Sequence, residues 1–198
     1  MSVPVINYDA RMRWEPNARG RLELAALALY GERGFENTTV AEIAARAGLT
    51  ERTFFRHFAD KREVLFSGAD ALQELLVSGV AAALDSVAPI DAVGAALEAA
   101  GALLQQRREY AQQRQAIIAA NQELRERELI KLASLALAIA ETLRQRGVGD
   151  PAAGLTAEAG IAAFRVAFER WVPEANQRDL PELIRDSLCQ LKAVTAGN

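Results

Sequence analysis

The stretch TVAEIAARAGLTERTFFRHF, residues 39–58, decides the reading of the fold. Thr39 and Glu42 stand three apart at the start of an apolar run, the spacing of a capping box, so a helix opens there and closes at Gly48. Thr50 caps a second, short helix over about Glu51 to Phe58. Two helices that cross at roughly 90–120° through a short turn need a small residue where they approach and a residue tolerant of positive φ in the turn. Ala44 and Gly48 supply these, and Ile43, Ala47, Leu49 and Phe54 fall where a shared core belongs. The spacing predicts a helix-turn-helix, although short Ala/Gly helix pairs of other kinds share it.

Working outward, a helix precedes the pair from about Asn17 to Arg33, with Leu22, Ala25, Ala26 and Leu29 on one face and Gly34 as its C-terminal stop. After it, Asp60-Lys61-Arg62-Glu63 repeats the capping pattern and predicts a fourth helix to about Leu84. Ala/Leu-rich helices are expected at about 90–106, 108–120 and 122–146. Gly147-Val148-Gly149-Asp150-Pro151 breaks the chain, and helices at about 154–172 and 180–194 complete it, separated by Pro173 and Pro181. No period-2 strand pattern competes, and β-branched runs are rare. The expected class is all-α with about nine helices. Residues 1–16 form an N-terminal arm, 17–64 a three-helix helix-turn-helix domain and 65–198 a helical domain.

The composition narrows the function. With 51% hydrophobic and 25% charged residues in 198, the chain has the make-up of a globular protein. No run of about eighteen apolar residues marks a membrane span, and the first residues lack the apolar core of a secretory signal. One cysteine, Cys189, excludes an internal disulfide framework, consistent with a reducing cytoplasm. It reads as a small buried hydrophobe before it reads as a redox sensor. The net charge of −3 divides into +1 over residues 1–66 and −4 over residues 67–198, so charge alone does not point to DNA. The single histidine, His57, has no partners for a metal site, and no phosphate-binding glycine loop or nucleophile elbow occurs. We therefore expect no enzyme, no metal and no cofactor.

The run from Gly48 to Lys61, GLTERTFFRHFADK, resembles the recognition helix and following turn of TetR-family regulators. Gly34-Phe35, Thr38-Thr39-Val40 and Ile43-Ala44 with Ala47-Gly48 match the same pattern, and the resemblance covers about residues 18–66. It implies a DNA-binding domain whose third helix enters the major groove, followed by a ligand-binding and dimerisation domain. The expected DNA-facing residues are Thr39, Thr50, Glu51, Arg52, Thr53, Phe55, Arg56, His57 and Lys61. Arg52 and Arg56 lie four apart on one helix face, and arginine reads guanine edges in bidentate fashion. Glu51 and Thr53 stand within reach of base edges. Thr39, at a helix N-terminus, and Lys61 are candidates for phosphate contacts. His57 resembles the family's histidine near the DNA backbone. The family commonly carries Tyr at the position of Phe55, and Phe55 lacks the hydroxyl that touches phosphate. Phe54, Phe55 and Phe58 read first as core. For an arm containing Arg11, Arg13, Arg19 and Arg21, a DNA-reaching role and a free one stand side by side.

The resemblance further implies a homodimer on double-stranded, palindromic operator DNA, with half-sites about one helical turn apart. A small apolar or amphipathic effector would release such a repressor, through movement of the fourth helix. Tyr110, Arg114, Asn121 and Phe164 are the candidate ligand-binding residues. Arg107-Arg108-Glu109 and Arg125-Glu126-Arg127-Glu128 read as solvated faces instead. Phe168, Trp171, Leu180, Ile184, Leu188 and Leu191 are the candidate dimer interface, with intramolecular core as the competing reading. The alternative function is an all-helical interaction or architectural protein without operator preference.

Overall fold

A computed structural model describes residues 17–197. The described residues form nine α-helices and one 3-10 turn, with no strand among them. They divide into two compact units at Val64/Leu65.

The first unit holds α1 (Ala18–Arg33), α2 (Val40–Arg46) and α3 (Glu51–His57). Each start is fixed by a side chain. Asn17 accepts from the Gly20 amide, Thr39 from the Glu42 amide while the Glu42 carboxylate accepts from the Thr39 amide, and Thr50 from the Thr53 amide. These bonds satisfy amides that have no partner inside the helix. α2 stops in a Schellman turn. The Leu49 amide donates to Ala44 at 2.8 Å and the Gly48 amide to Ala45 at 3.0 Å, with Gly48 at φ +66°, which a side chain with a Cβ rarely adopts. The three helices close over Leu22, Ile43 and Phe54, all fully buried.

The fourth predicted helix is corrected. Asp60 does cap, accepting from the amides of Arg62 and Glu63. It opens only the 3-10 turn Glu63–Phe66, however, and α4 begins at Ala69 (Ala69–Ala81). Gly68 stands at the break as the α4 N-cap, with no side-chain bond to it. By length and composition the segment Glu63–Ala81 is apolar enough to cross a membrane. It is interrupted at residues 67–68, and Leu76 and Val80 are buried in a protein core.

The second unit continues with α5 (Pro89–Gln105), α6 (Arg108–Ala120), α7 (Gln122–Gln145), α8 (Ala152–Trp171) and α9 (Leu180–Thr195). α5 and α8 lie against each other and both against α9, while α7 packs on α4, α6 and α8. Close approach depends on missing side chains: a Cβ on Gly160 would meet Val93 Cγ1 at 2.5 Å, and one on Gly101 would meet Ile184 Cδ1 at 2.7 Å. Arg108 is not the solvated charge its sequence neighbours suggested. Its Nη2 donates to the carbonyls of Trp171, Pro173 and Asn176 at 3.1, 2.9 and 2.8 Å, closing the C-terminus of α8, where unpaired carbonyls favour a cation.

Candidate functional site

In the first unit, α3 carries the candidate DNA-facing set. Glu51, Arg52, Phe55 and Arg56 are exposed on it, as are the caps Thr39 and Thr50. Neighbouring arginines are committed to ion pairs, Arg33 to Glu42 at 2.9 Å and Arg46 to Glu32 at 2.7 Å. Arg52 and Arg56 have no ion-pair or hydrogen-bond partner among the described residues, so their guanidinium donors are available to an acceptor from outside. The Thr53 and Thr50 hydroxyls share a bond of 3.1 Å. Phe54 and Phe58 are core, but Phe55 is 55% exposed, which corrects its core reading: adjacent helix positions point about 100° apart, and within α3 only Phe54 is buried. His57 is half-buried, and its Nε2 is enclosed without a hydrogen-bond partner.

Lys61, expected to hold a phosphate, is engaged within the first unit. Its Nζ donates to the carbonyls of Phe35, Glu36 and Thr38 at 2.9, 3.4 and 3.1 Å and lies 4.4 Å from the centre of the Phe35 ring. An ammonium has three donors, and all three are spent on the α1–α2 turn. The Lys61 carbonyl also accepts from the Tyr30 hydroxyl at 2.6 Å. Burial, with the nearby Asp60 charge adding to it, pushes the Tyr30 phenol far above its ordinary value. The Arg62 side-chain bond, ahead of two backbone amides, holds Asp60 below the usual carboxylate range, and the Thr39 amide and hydroxyl do the same for Glu42. Arg11 and Arg13 of the expected arm lie outside the described residues. Arg19 and Arg21 belong to α1, and Arg19 pairs with Glu23 at 3.5 Å.

The second unit contains a cavity of about 430 Å³, within the range that holds small molecules. Leu72, Leu104, Leu132, Leu135, Phe164 and Phe168 supply much of its apolar wall. Of the candidate ligand residues, Tyr110, Arg114 and Phe164 line it. Asn121 is outside the lining and is corrected: its amide is turned back to the Ile117 carbonyl at 2.7 Å, capping α6. Arg114 is the most engaged polar group there, donating through Nε to the Leu65 carbonyl at 2.7 Å and through Nη1 to Glu128 at 3.0 Å, with its guanidinium 5.0 Å from the Phe66 ring centre. Gln115 also lines the cavity, and its Oε1 is enclosed without a hydrogen-bond partner. Arg107 and Arg125, expected as solvated charge, are exposed, Glu128 is half-buried, and all three border the same space. Nothing local distinguishes them from surface charge.

The expected dimer residues are largely corrected. Trp171, Leu180 and Ile184 are fully buried and Leu188 nearly so, enclosed by α5, α8 and α9 and therefore not surface. Phe168 is part of the cavity wall, and Leu191 is half-buried. The opposite face of α8 is the exposed apolar one: Leu155 and Val166 are 68% and 49% exposed, with Ala159 and Ala162 between them. These four fall at i, i+4, i+7 and i+11, a second apolar stripe legible in the sequence once α8 is seen to be apolar on two sides. Cys189 is exposed, which overturns its buried reading.

The described residues thus place a helix-turn-helix unit before a helical unit that holds a cavity open to solvent. The family assignment rests on sequence profiles as well. The chain belongs to the tetR family of bacterial regulatory proteins, whose N-terminal profile matches residues 24–67, and the MftR C-terminal domain profile matches residues 87–196. TcmR, an HTH-type transcriptional regulator of Streptomyces glaucescens, is 35% identical over 89 residues, 45% of this chain and 39% of its own. FasR, an HTH-type transcriptional activator of Mycolicibacterium smegmatis, is 36% identical over 66 residues, 33% of this chain and 30% of its own. The match thus spans less than half the length of either relative. Among solved structures, the complex of SmeT with triclosan has a TM-score of 0.65 at 20% identity, covering 90% of this chain and 91% of that one. SmeT is the repressor of the Stenotrophomonas maltophilia multidrug efflux pump SmeDEF.

Proposed function

We propose that this chain is a cytoplasmic, homodimeric transcriptional repressor that binds a palindromic operator and leaves it when a small apolar or amphipathic molecule enters the cavity of the second unit. The observation that carries the reading is the pair Arg52 and Arg56, exposed, without a partner among the described residues and four apart on the short helix α3. Bases are read by such arginines, with Glu51 and Thr53 as further candidates, while Thr39 and Thr50 take exposed positions suited to the phosphate backbone, and His57, whose Nε2 is enclosed, is a weaker candidate for it. Phe55, exposed and without a hydroxyl, offers an apolar contact such as a thymine methyl accepts. Lys61 has no place in this interface. No catalytic role is assigned to any residue.

Dimerisation is assigned to the exposed stripe Leu155, Ala159, Ala162 and Val166 of α8, where small residues permit close approach of a second copy. The ligand reading draws on the cavity and on SmeT, whose structure holds triclosan. Such a ligand acts only if it binds the operator-competent and released conformations with different affinity. The sign of control draws on SmeT, a repressor, while FasR is an activator; a reporter gene placed behind the recovered operator separates the two. The test is selection of fragments bound by the purified protein from random DNA at near-physiological salt. The expected result is an inverted repeat with half-sites about one helical turn or a multiple of it apart. Absence of enrichment overturns operator reading and favours a helical protein without sequence preference.

A further inference from the structure

Charge is distributed unevenly over the second unit. Residues 67–198 carry 13 Lys+Arg and 17 Asp+Glu. Five of those cations, Arg107, Arg114, Arg125, Lys131 and Arg165, line the cavity, against only two carboxylates, Glu128 and Glu169. An acidic domain thus surrounds an apolar space with an excess of three positive charges. Glu128 occupies Arg114 at 3.0 Å, with both side chains largely shielded from water, at 20% and 24% exposure. Gln115, with its enclosed and unsatisfied amide oxygen, sits in the same lining, and its amide can present either a donor or an acceptor.

From this arrangement we infer that the cavity takes an amphipathic anion, whose apolar body lies along the leucine and phenylalanine wall and whose anionic head displaces Glu128 from Arg114. The inference rests on the reading of this cavity as the effector site. An anionic head reduces the positive excess of the lining and gains charge-assisted hydrogen bonds in a partly dry site. A cationic head meets repulsion, and a neutral one gains no charge-assisted hydrogen bond from Arg114. Arg114 is the recognising group. It also holds the Leu65 carbonyl and lies against the Phe66 ring, so occupation of the cavity bears directly on the last residues of the 3-10 turn.

The test is calorimetric titration of the full-length protein with four probes of one chain length: decanoate, decyl phosphate, decan-1-ol and decyltrimethylammonium, all below their aggregation limits. Either anion should bind about tenfold or more tightly than the alcohol, the size expected of a hydrogen bond to a charged group, and the ammonium most weakly. In Glu128→Gln, which removes the competing carboxylate, the ratio of decanoate to decanol affinity should rise several-fold. If the alcohol matches the anions, if no probe binds, or if Glu128→Gln leaves that ratio unchanged, the inference is overturned. Leu132→Trp, checked for retained helicity, fills the cavity and separates the two levels. If it abolishes all binding while head group has no influence, the cavity stands as effector site and the anion claim alone falls. If it leaves decanoate binding intact, the cavity reading falls with it.

Discussion

The two units are both helical and both carry alternating apolar and charged residues, yet they are organised by different rules. In the first unit local chemistry determines nearly everything: Asn17, Thr39 and Thr50 start the helices, Gly48 turns the chain, and Arg52 and Arg56 stand outside because four residues return a helix to the same face. In the second unit the decisive contacts are long-range. α8 is apolar on two faces, and only the packing of α5 and α9 determines that Ile161 and Trp171 are enclosed while Leu155 and Val166 are exposed. Short-range rules therefore locate the exposed arginines of α3, but not the cavity or the exposed apolar stripe of α8.

The largest expected effect sharpens the first half of that comparison at two adjacent positions. Phe54→Ala should cost about 3–5 kcal/mol of stability, as truncation of a fully buried aromatic does. Phe55→Ala should stay within about 0.5 kcal/mol, as an exposed position does. Denaturant unfolding of both variants reads the difference, and equal losses would break the assignment of faces on α3.

Gly160→Ala probes the long-range packing of the second unit. Its new methyl meets Val93 in the core, and overpacking of this kind costs about 1–3 kcal/mol. A loss near zero, measured by thermal unfolding, would mean that α5 and α8 are packed less closely than described.

Lys61→Met comes next. Removing the ammonium leaves three carbonyls without their donor, so about 1–3 kcal/mol of stability should be lost. The salt dependence of DNA binding should be unaltered, because the salt slope counts only cations neutralising phosphate. A shallower slope with unchanged stability would restore Lys61 to the DNA interface.

The smallest effect is an acid limb. Asp60 is held below its ordinary value, first by the Arg62 bond. Its contribution to stability is therefore fully present above the unfolded carboxylate value of about 3.9 and is lost as pH falls through the lower folded value. Asp60→Asn should flatten the pH dependence of unfolding below about pH 4. An unchanged limb would move the cause to Glu42 or Glu32, whose values are also lowered.

Legibility from sequence divides along the same line. The helix-turn-helix, its caps and its exposed arginines were readable from residues 39–58, because each depends on neighbours within four positions. The start of α4 was misplaced: Asp60 does cap, but its two backbone bonds support only a 3-10 turn, and the chain breaks at residues 67–68 before α4 begins. Arg107, Arg125 and Glu128 look like any surface charges until the fold sets them around one space. Trp171, Leu180 and Ile184 carry the right chemistry for an interface and equally for a core, and only tertiary contacts separate the two.

Sequence reading by α3 is proposed to run through Arg52. The most direct measurement takes the inverted repeat recovered by selection and compares wild type with Arg52→Ala on it and on every single-base-pair variant of one half-site. The expected result is intact folding and a loss of about 1–3 kcal/mol that disappears at the one position Arg52 contacts, where the variant protein no longer discriminates. A uniform loss across all positions, with discrimination retained throughout, would contradict it.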